Sequence, residues 1–278
     1  MANDANFKAV ARMAKEGDAG AQFNLGLMYA KGNGVAKDEA KALKWFRLSA
    51  EQDHGGALLN LGLMYQDGRG VAADKVKAVS CFRAAAEQGN AEAQCVLGMA
   101  LADRNGGEKT DAAAVKWLHK AAQQEVAEAE YQLGVMFYRG RGVSKNKVEA
   151  ENWIRQAANQ GFSAAECMLG LMYDRGDVVP KNSKMAANWF RRAAIHAHPM
   201  AQFHLGLMYA EGKGVPKNST TAVNWFRMAA DQGYPEAQFR LGLMYANGRG
   251  VTRDEARAVV WLRKAIEQGY TGKKPPQE

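Results

Sequence analysis

The sequence is poor in the features that usually announce chemistry. It has three cysteines, too few and too odd in number for a disulfide framework. Its apolar runs stop well short of the roughly 18 residues a membrane-spanning helix needs. The start, Met1-Ala-Asn-Asp-Ala-Asn-Phe-Lys, lacks the basic-then-apolar layout of a secretory signal. There is no Gly-x-Ser-x-Gly elbow, no His-Glu-x-x-His and no isolated acid pair, so nothing marks a catalytic centre. No cofactor is expected. The cysteine usage points to a reducing, cytoplasmic setting, or to a periplasmic or secreted one if an export signal has been removed from the chain.

What is present is a folded, repetitive chain. The 278 residues are 47% hydrophobic, enough for a core, and carry a net charge of +8, which by itself names no partner. Leu-Gly recurs at Leu25, Leu61, Leu97, Leu133, Leu169, Leu205 and Leu241, always 36 residues apart. Trp45, Cys81, Trp117, Trp153, Trp189, Trp225 and Trp261 fall on the same step. Such a period means a solenoid of repeats.

Each unit reads as two helices, A and B, with no strand. In the first unit, helix A spans about 19–31, with Ala21, Leu25, Met28 and Tyr29 at helical spacing. Gly32 follows as a left-handed C′ residue. Asp38, Asp74, Thr110, Asn146, Asn182, Asn218 and Asp254 are N-cap types at the start of helix B. Ala42, Trp45, Phe46, Ser49 and Ala50 form the buried stripe of B, so the Trp series, Trp153 included, reads as core. Gly89, Gly161, Gly233 and Gly269 end B helices, and Pro199 and Pro235 sit in the first turn of A helices. Residues 1–18 read as a capping half-repeat, 19–270 as seven repeats in one solenoid domain, and 271–278 as a flexible tail. Ile266 replaces a small residue at the last B helix, where no following helix crowds it.

The unit A-x-x-x-L-G-x-M-Y-x-x-G-x-G-V-x-x-D-x-x-K-A-x-x-W-F-x-x-A-A-x-Q-G resembles the Sel-one-like repeat (SLR) family, relatives of the tetratricopeptide repeats. That resemblance implies an all-α, right-handed αα superhelix acting as a non-enzymatic protein-binding scaffold or adaptor. Bacterial members look like parts of signalling, envelope and host- or competitor-interaction systems. No shared catalytic residues come with the family.

The variable residues locate binding. At about 100° per residue, the positions of Asn24 and Lys31 share a stripe away from Ala21, Leu25 and Met28. In the tetratricopeptide arrangement that stripe faces the concave groove. The candidate protein-binding residues are Asn24, Lys31, Asn60, Asp67, Gln132, Tyr138, Arg139, Arg175, His204, Glu211 and Arg240. Tyr138 is the aromatic anchor among them. A protein or peptide in the groove is the expected partner of a chain expected to be monomeric, with a dedicated inhibitor or immunity-type binder as the sharper form. Nucleic acid is not expected.

Three other sets invite attention. Arg47, Arg83, Arg155, Arg191, Arg227 and Arg263 form a ladder, and Glu51, Glu87, Asp231 and Glu267 stand one turn after four of them, as i,i+4 pairs. Arg69, Arg141, Lys145, Lys181, Lys217 and Arg253 make a basic loop edge that could hold an acidic partner, RNA or acidic lipid. His196, His198 and His204 lack the company of further ligands that zinc wants, and read as surface or capping residues. Cys81, Cys95 and Cys167 read as buried thiols, with a Cys81–Cys95 contact left open. Two loops are odd: Asp103 to Lys109 replaces the usual Gly-x-Gly-Val, and Asp177-Val178-Val179-Pro180 loses the second glycine.

Overall fold

The computed structural model describes residues 2–103, 108–270 and 272. Among them are fifteen helices and no strand, an all-α helical solenoid as the repeat predicts. Helix α1 (Ala2–Lys15) stands alone. Seven A–B pairs follow: α2 (Ala19–Lys31) and α3 (Glu39–Ala50); α4 (Gly55–Asp67) and α5 (Lys75–Glu87); α6 (Ala91–Ala102) and α7 (Glu108–Ala122); α8 (Ala127–Arg139) and α9 (Lys147–Asn159); α10 (Ser163–Arg175) and α11 (Ser183–Ile195); α12 (Pro199–Glu211) and α13 (Ser219–Asp231); α14 (Pro235–Asn247) and α15 (Glu255–Glu267). The chain groups into two compact units. One runs to Met136 and includes 140–144; the other holds 137–139 and everything from Lys145 onward.

Local chemistry sets the helix ends. Asp38, Asp74, Asn146, Asn182, Asn218 and Asp254 cap their B helices, each side chain accepting a bond from a first-turn N–H. The backbone N–H of each cap reaches back to an aromatic residue of its A helix, as from Asp38 to the Tyr29 carbonyl at 2.9 Å. Thr110 is a correction. It lies inside α7, which has already begun at Glu108. Glu108 and Lys109 are good helix formers, and without the Gly-Val loop nothing delays the helix until Thr110. The rest of that odd loop, 104–107, and the tail at 271–278 apart from Gly272 lie outside the described residues.

The core is built on the step after tryptophan, a second correction. Trp189 is 7% exposed, but Trp45, Trp117, Trp153, Trp225 and Trp261 are only half-buried. The fully buried residues are their neighbours: Phe46, Phe82, Leu118, Ile154, Phe190 and Phe226, each at most 1% exposed. One residue along a helix turns about 100°, so only one of two adjacent side chains can point squarely at helix A. There it meets the glycine of Leu-Gly. A methyl added at Gly206 would lie 2.7 Å from the Phe226 ring, and at Gly62 2.5 Å from Phe82. The glycine is a slot for the ring.

The arginine ladder holds adjacent repeats together, but by a different partner from the one predicted. Arg47 donates to the Tyr65 hydroxyl at 3.0 Å, Arg155 to Tyr173, Arg191 to Tyr209 and Arg227 to Tyr245. Each bond joins a B helix to the next A helix. Among the described residues none of Glu51, Glu87, Asp231 or Glu267 pairs with its ladder arginine. An exposed i,i+4 pair contributes little, whereas the tyrosine is held in packed reach by its own helix.

A glutamine ladder, unread in the sequence, does the same on another face. The amides of Gln22, Gln94, Gln202 and Gln238 donate to carbonyls at the end of the preceding B helix, on Ala14, Ala86, Ala194 and Ala230. Their oxygens accept from Gln52, Gln124, Gln232 and Gln268. Four last-turn carbonyls, each already accepting the N–H of the left-handed residue three positions on, thereby gain a second donor. In the fifth repeat the pair becomes Glu166 and His196, 3.2 Å apart, and the Glu166 side chain is wholly buried. A carboxylate cannot donate, so Arg192 supplies the bond to the Ala158 carbonyl at 3.0 Å and pairs with Glu166 at 2.9 Å.

Three junctions carry strain. The residue after each B helix that is glycine at Gly89, Gly161, Gly233 and Gly269 is left-handed, and Asp53, Glu125 and Ala197 adopt the same positive φ of 56–60°. Left-handed backbone costs a side-chain-bearing residue about 1–2 kcal/mol, partly offset by glycine's greater freedom when unfolded. Glu125→Gly and Ala197→Gly are therefore expected to stabilise the fold by roughly 0.5–1 kcal/mol each, and Asp53→Gly by less. Denaturant midpoints measure this; a lowered midpoint for Ala197→Gly would contradict it.

Candidate protein-binding surface

The A helices expose the stripe unevenly. Asn24, Lys31, Arg139, Arg175, Glu211 and Arg240 are exposed. Among the described residues Lys31, Arg139, Arg175, Glu211 and Arg240 form no ion pair. Apart from Arg175, which reaches the Tyr138 hydroxyl, they are side chains that build nothing. Gln132 is half-buried.

The remaining candidates are already engaged. The Asn60 amide donates to its own helix at the Gly56 carbonyl, 2.8 Å away, and Asp67 pairs with Arg69 at 3.3 Å. The Tyr138 hydroxyl donates to Asp177 Oδ2 at 2.6 Å, which raises its pKa, and Lys147 donates to the Asp177 carbonyl at 3.3 Å. This accounts for the odd fifth loop. In ordinary loops the second glycine touches the preceding B helix, where a methyl on Gly214 would meet the Ser183 carbonyl oxygen at 2.2 Å. Val178 does not take that positive φ, and Tyr138 and Lys147 anchor the loop through Asp177 instead. Tyr138 is thus a structural tether, with Arg175 in reach of its hydroxyl.

His204 is stacked, half-buried, on Phe190 with ring centroids 5.1 Å apart. Desolvation lowers its pKa to about 4, Arg175 and Lys213 adding to the effect and Asp174 opposing it. The unfolded chain, with an ordinary histidine pKa near 6.5, binds this proton more readily than the folded one. Stability at this site is therefore complete above about pH 6.5 and is lost as pH falls toward 4, at no more than about 1.4 kcal/mol per unit. His204→Phe is expected to remove that component from a melting-temperature profile; an unchanged profile would show that the ring is not desolvated.

The other histidines and the thiols have plain roles. His54 and His198 cap A helices by accepting from Ala57 and Ala201. No cluster of three His, Cys, Asp or Glu side chains fit for a metal occurs among the described residues. All three cysteines are free; Cys95 and Cys167 are buried, with pKa values raised to about 12 by burial, and Cys81 is half-buried. The core reading fits two of the three, because Cys81 occupies a position of the half-buried Trp series. No helix among the described residues is long and apolar enough to cross a membrane.

On the basic edge much of the charge is spent internally. Arg141 binds Asp111 at 2.6 and 3.1 Å and the Ala102 carbonyl at 2.7 Å. Arg69 pairs with Asp67 and Arg253 with Glu255.

Comparison with known proteins follows the repeat. No protein among the curated sequences matches this chain. The crystal structure of c5321, a protective antigen of uropathogenic Escherichia coli displaying an SLR fold, is similar at 36% identity and TM-score 0.84 over 95% of this chain. This chain spans 56% of that one. A Sel1 repeat protein from Oxalobacter formigenes is similar at 38% identity and TM-score 0.78, covering 97% of this chain and 78% of its own. The immunity protein PA5088 of Pseudomonas aeruginosa, at 18% identity and TM-score 0.52 over 77% of this chain and 80% of its own, shares the fold. The Sel1 repeat model matches seven times, at residues 19–54, 56–90, 91–126, 127–162, 163–198, 199–234 and 235–270, and the chain belongs to the Sel1 repeat family.

Proposed function

We propose that this chain is a non-enzymatic scaffold that grips a protein or peptide with the exposed face of its A helices. Sel1 repeat proteins generally mediate protein–protein interaction. One observation carries the reading here: the residues of that face change from repeat to repeat, and Lys31, Arg139, Glu211 and Arg240 stay exposed and pair with no internal group, while the packing positions hardly vary. An anion-surface role draws less support, because Arg69, Arg141 and Arg253 are neutralised by neighbouring carboxylates.

Arg139→Glu combined with Arg175→Glu is the direct test. Both are exposed, so helicity and melting temperature are expected to hold. Capture of a protein from the source lysate should fall at least about tenfold, the scale of one lost interface charge contact. Undiminished capture would remove the A face at these positions from the interface. One partner held at one-to-one stoichiometry would mark a dedicated, inhibitor-type binder; several weaker ones would mark an adaptor.

A further inference from the structure

The third repeat breaks a rule that the other six keep. Met28, Met64, Met136, Met172, Met208 and Met244 occupy one A-helix position, and the third repeat has Ala100 there. Met208 shares one buried cluster with Ala186, Ala187 and Phe190 of the preceding B helix, and Met244 shares one with Ala222, Val223 and Phe226. The residues equivalent to that floor below Ala100 are Ala78, Val79 and Phe82. They line a cavity of about 690 Å³, walled by Leu63 on one side and by Val96 and Met99 with Ala100 on the other. Val79 is partly exposed, whereas the equivalent Val223 is 2% exposed under Met244.

The neighbouring position reinforces the opening. His204 covers Phe190 in the sixth repeat, but the third repeat places Val96 there, a short apolar wall where Asn24, Asn60, Gln132, Met168 and Arg240 stand elsewhere. Close-packed interiors seldom leave such a void, and losing a methionine from a floor of this kind costs stability. Lys75 and Asp103 stand on the rim, both exposed and with no ion pair among the described residues. An apolar floor under two unpaired charges of opposite sign is the chemistry of an oriented side-chain socket.

We infer that this socket receives one large apolar side chain, aromatic or long aliphatic, from a bound peptide segment that places a basic residue against Asp103 and an acidic one against Lys75. The inference rests on the protein-binding reading and locates its anchor in the third repeat. Ala100→Met is the discriminating variant, because it restores the residue that six repeats carry and is expected to keep or raise the melting temperature. Asp103→Lys alters only the rim.

The experiment selects short random peptides displayed against the full chain, then measures the consensus peptide against wild type and both variants with the methionine methyls 13C-labelled. Expected are peptides with a large apolar residue between opposite charges, a shifted Met99 methyl signal, and affinity about tenfold or more weaker for Ala100→Met. Asp103→Lys should weaken the same peptide and prefer one whose basic residue is made acidic. Peptides that bind wild type and Ala100→Met equally, leaving Met99 unmoved, would overturn the socket while leaving protein binding intact. If no peptide is enriched and only the apolar dye 8-anilinonaphthalene-1-sulfonate binds, lost in Ala100→Met, the cavity serves small apolar molecules and the peptide proposal fails. If nothing binds, it fails as well.

Discussion

Phe226→Ala is expected to cost about 3–5 kcal/mol, while Trp225→Ala, one residue earlier and larger, costs less than half as much. Phe226 is 1% exposed and closed in by the Gly206 backbone and the Phe203 ring, centroids 5.9 Å apart, so its removal leaves a cavity that the rigid helices cannot collapse. Trp225 is half-buried, and much of its surface returns to water it already touched. The counterpart is Gly206→Ala. Alanine is favoured over glycine inside a helix by about 1 kcal/mol. Here the new methyl meets a buried ring at 2.7 Å, and overpacking of that kind costs about 1–3 kcal/mol, so the net effect is expected to be destabilising. Chemical denaturation of the full chain measures all three, with exchange protection in α12 to α14 showing whether the loss is local, as nearest-neighbour repeats require. A Trp225→Ala variant weaker than Phe226→Ala would return the tryptophans to the core.

These cases show where the sequence was legible. Helix A of the first repeat ends at Ala19 and Lys31 as its caps and periodicity say, because Gly32 and Asp38 act through backbone geometry that depends on neighbours along the chain. What depends on direction within a layer was harder to read. Trp and Phe are both apolar and adjacent, and composition alone does not say which one points at the glycine. The partner of Arg47 lies 18 residues away on another helix, invisible to an i,i+4 search. The glutamine ladder did leave a signal: Gln94 and Gln124 sit on the 36-residue step, and Glu166 and His196 depart from it together. The socket left one too, in Ala100. Of the binding stripe, exposure separates Arg139 and Arg240 from Tyr138 and Asn60, whose hydrogen bonds only coordinates reveal.

That joint departure in the fifth repeat gives the second large effect. Arg192→Ala removes the cation that holds the buried Glu166 carboxylate, a loss expected to reach about 3 kcal/mol, while the Ala158 carbonyl keeps the Gly161 N–H at 3.0 Å. His196 remains within 3.2 Å of the carboxylate. Glu166→Gln in the same chain should restore most of the stability. The new amide can donate to Ala158 as Gln202 does to Ala194, and no buried charge is left to compensate. The double variant is therefore expected within about 1 kcal/mol of wild type, a coupling near the upper end for residues in contact. His196→Gln on that background completes the glutamine pair that four other repeats carry and should not weaken it. If Arg192→Ala is equally costly with and without Glu166→Gln, the arginine acts through its packing on Trp189, 4.5 Å from the ring centroid, and the charge argument falls. If neither single change matters, water reaches Glu166 and the carboxylate never needed its partner.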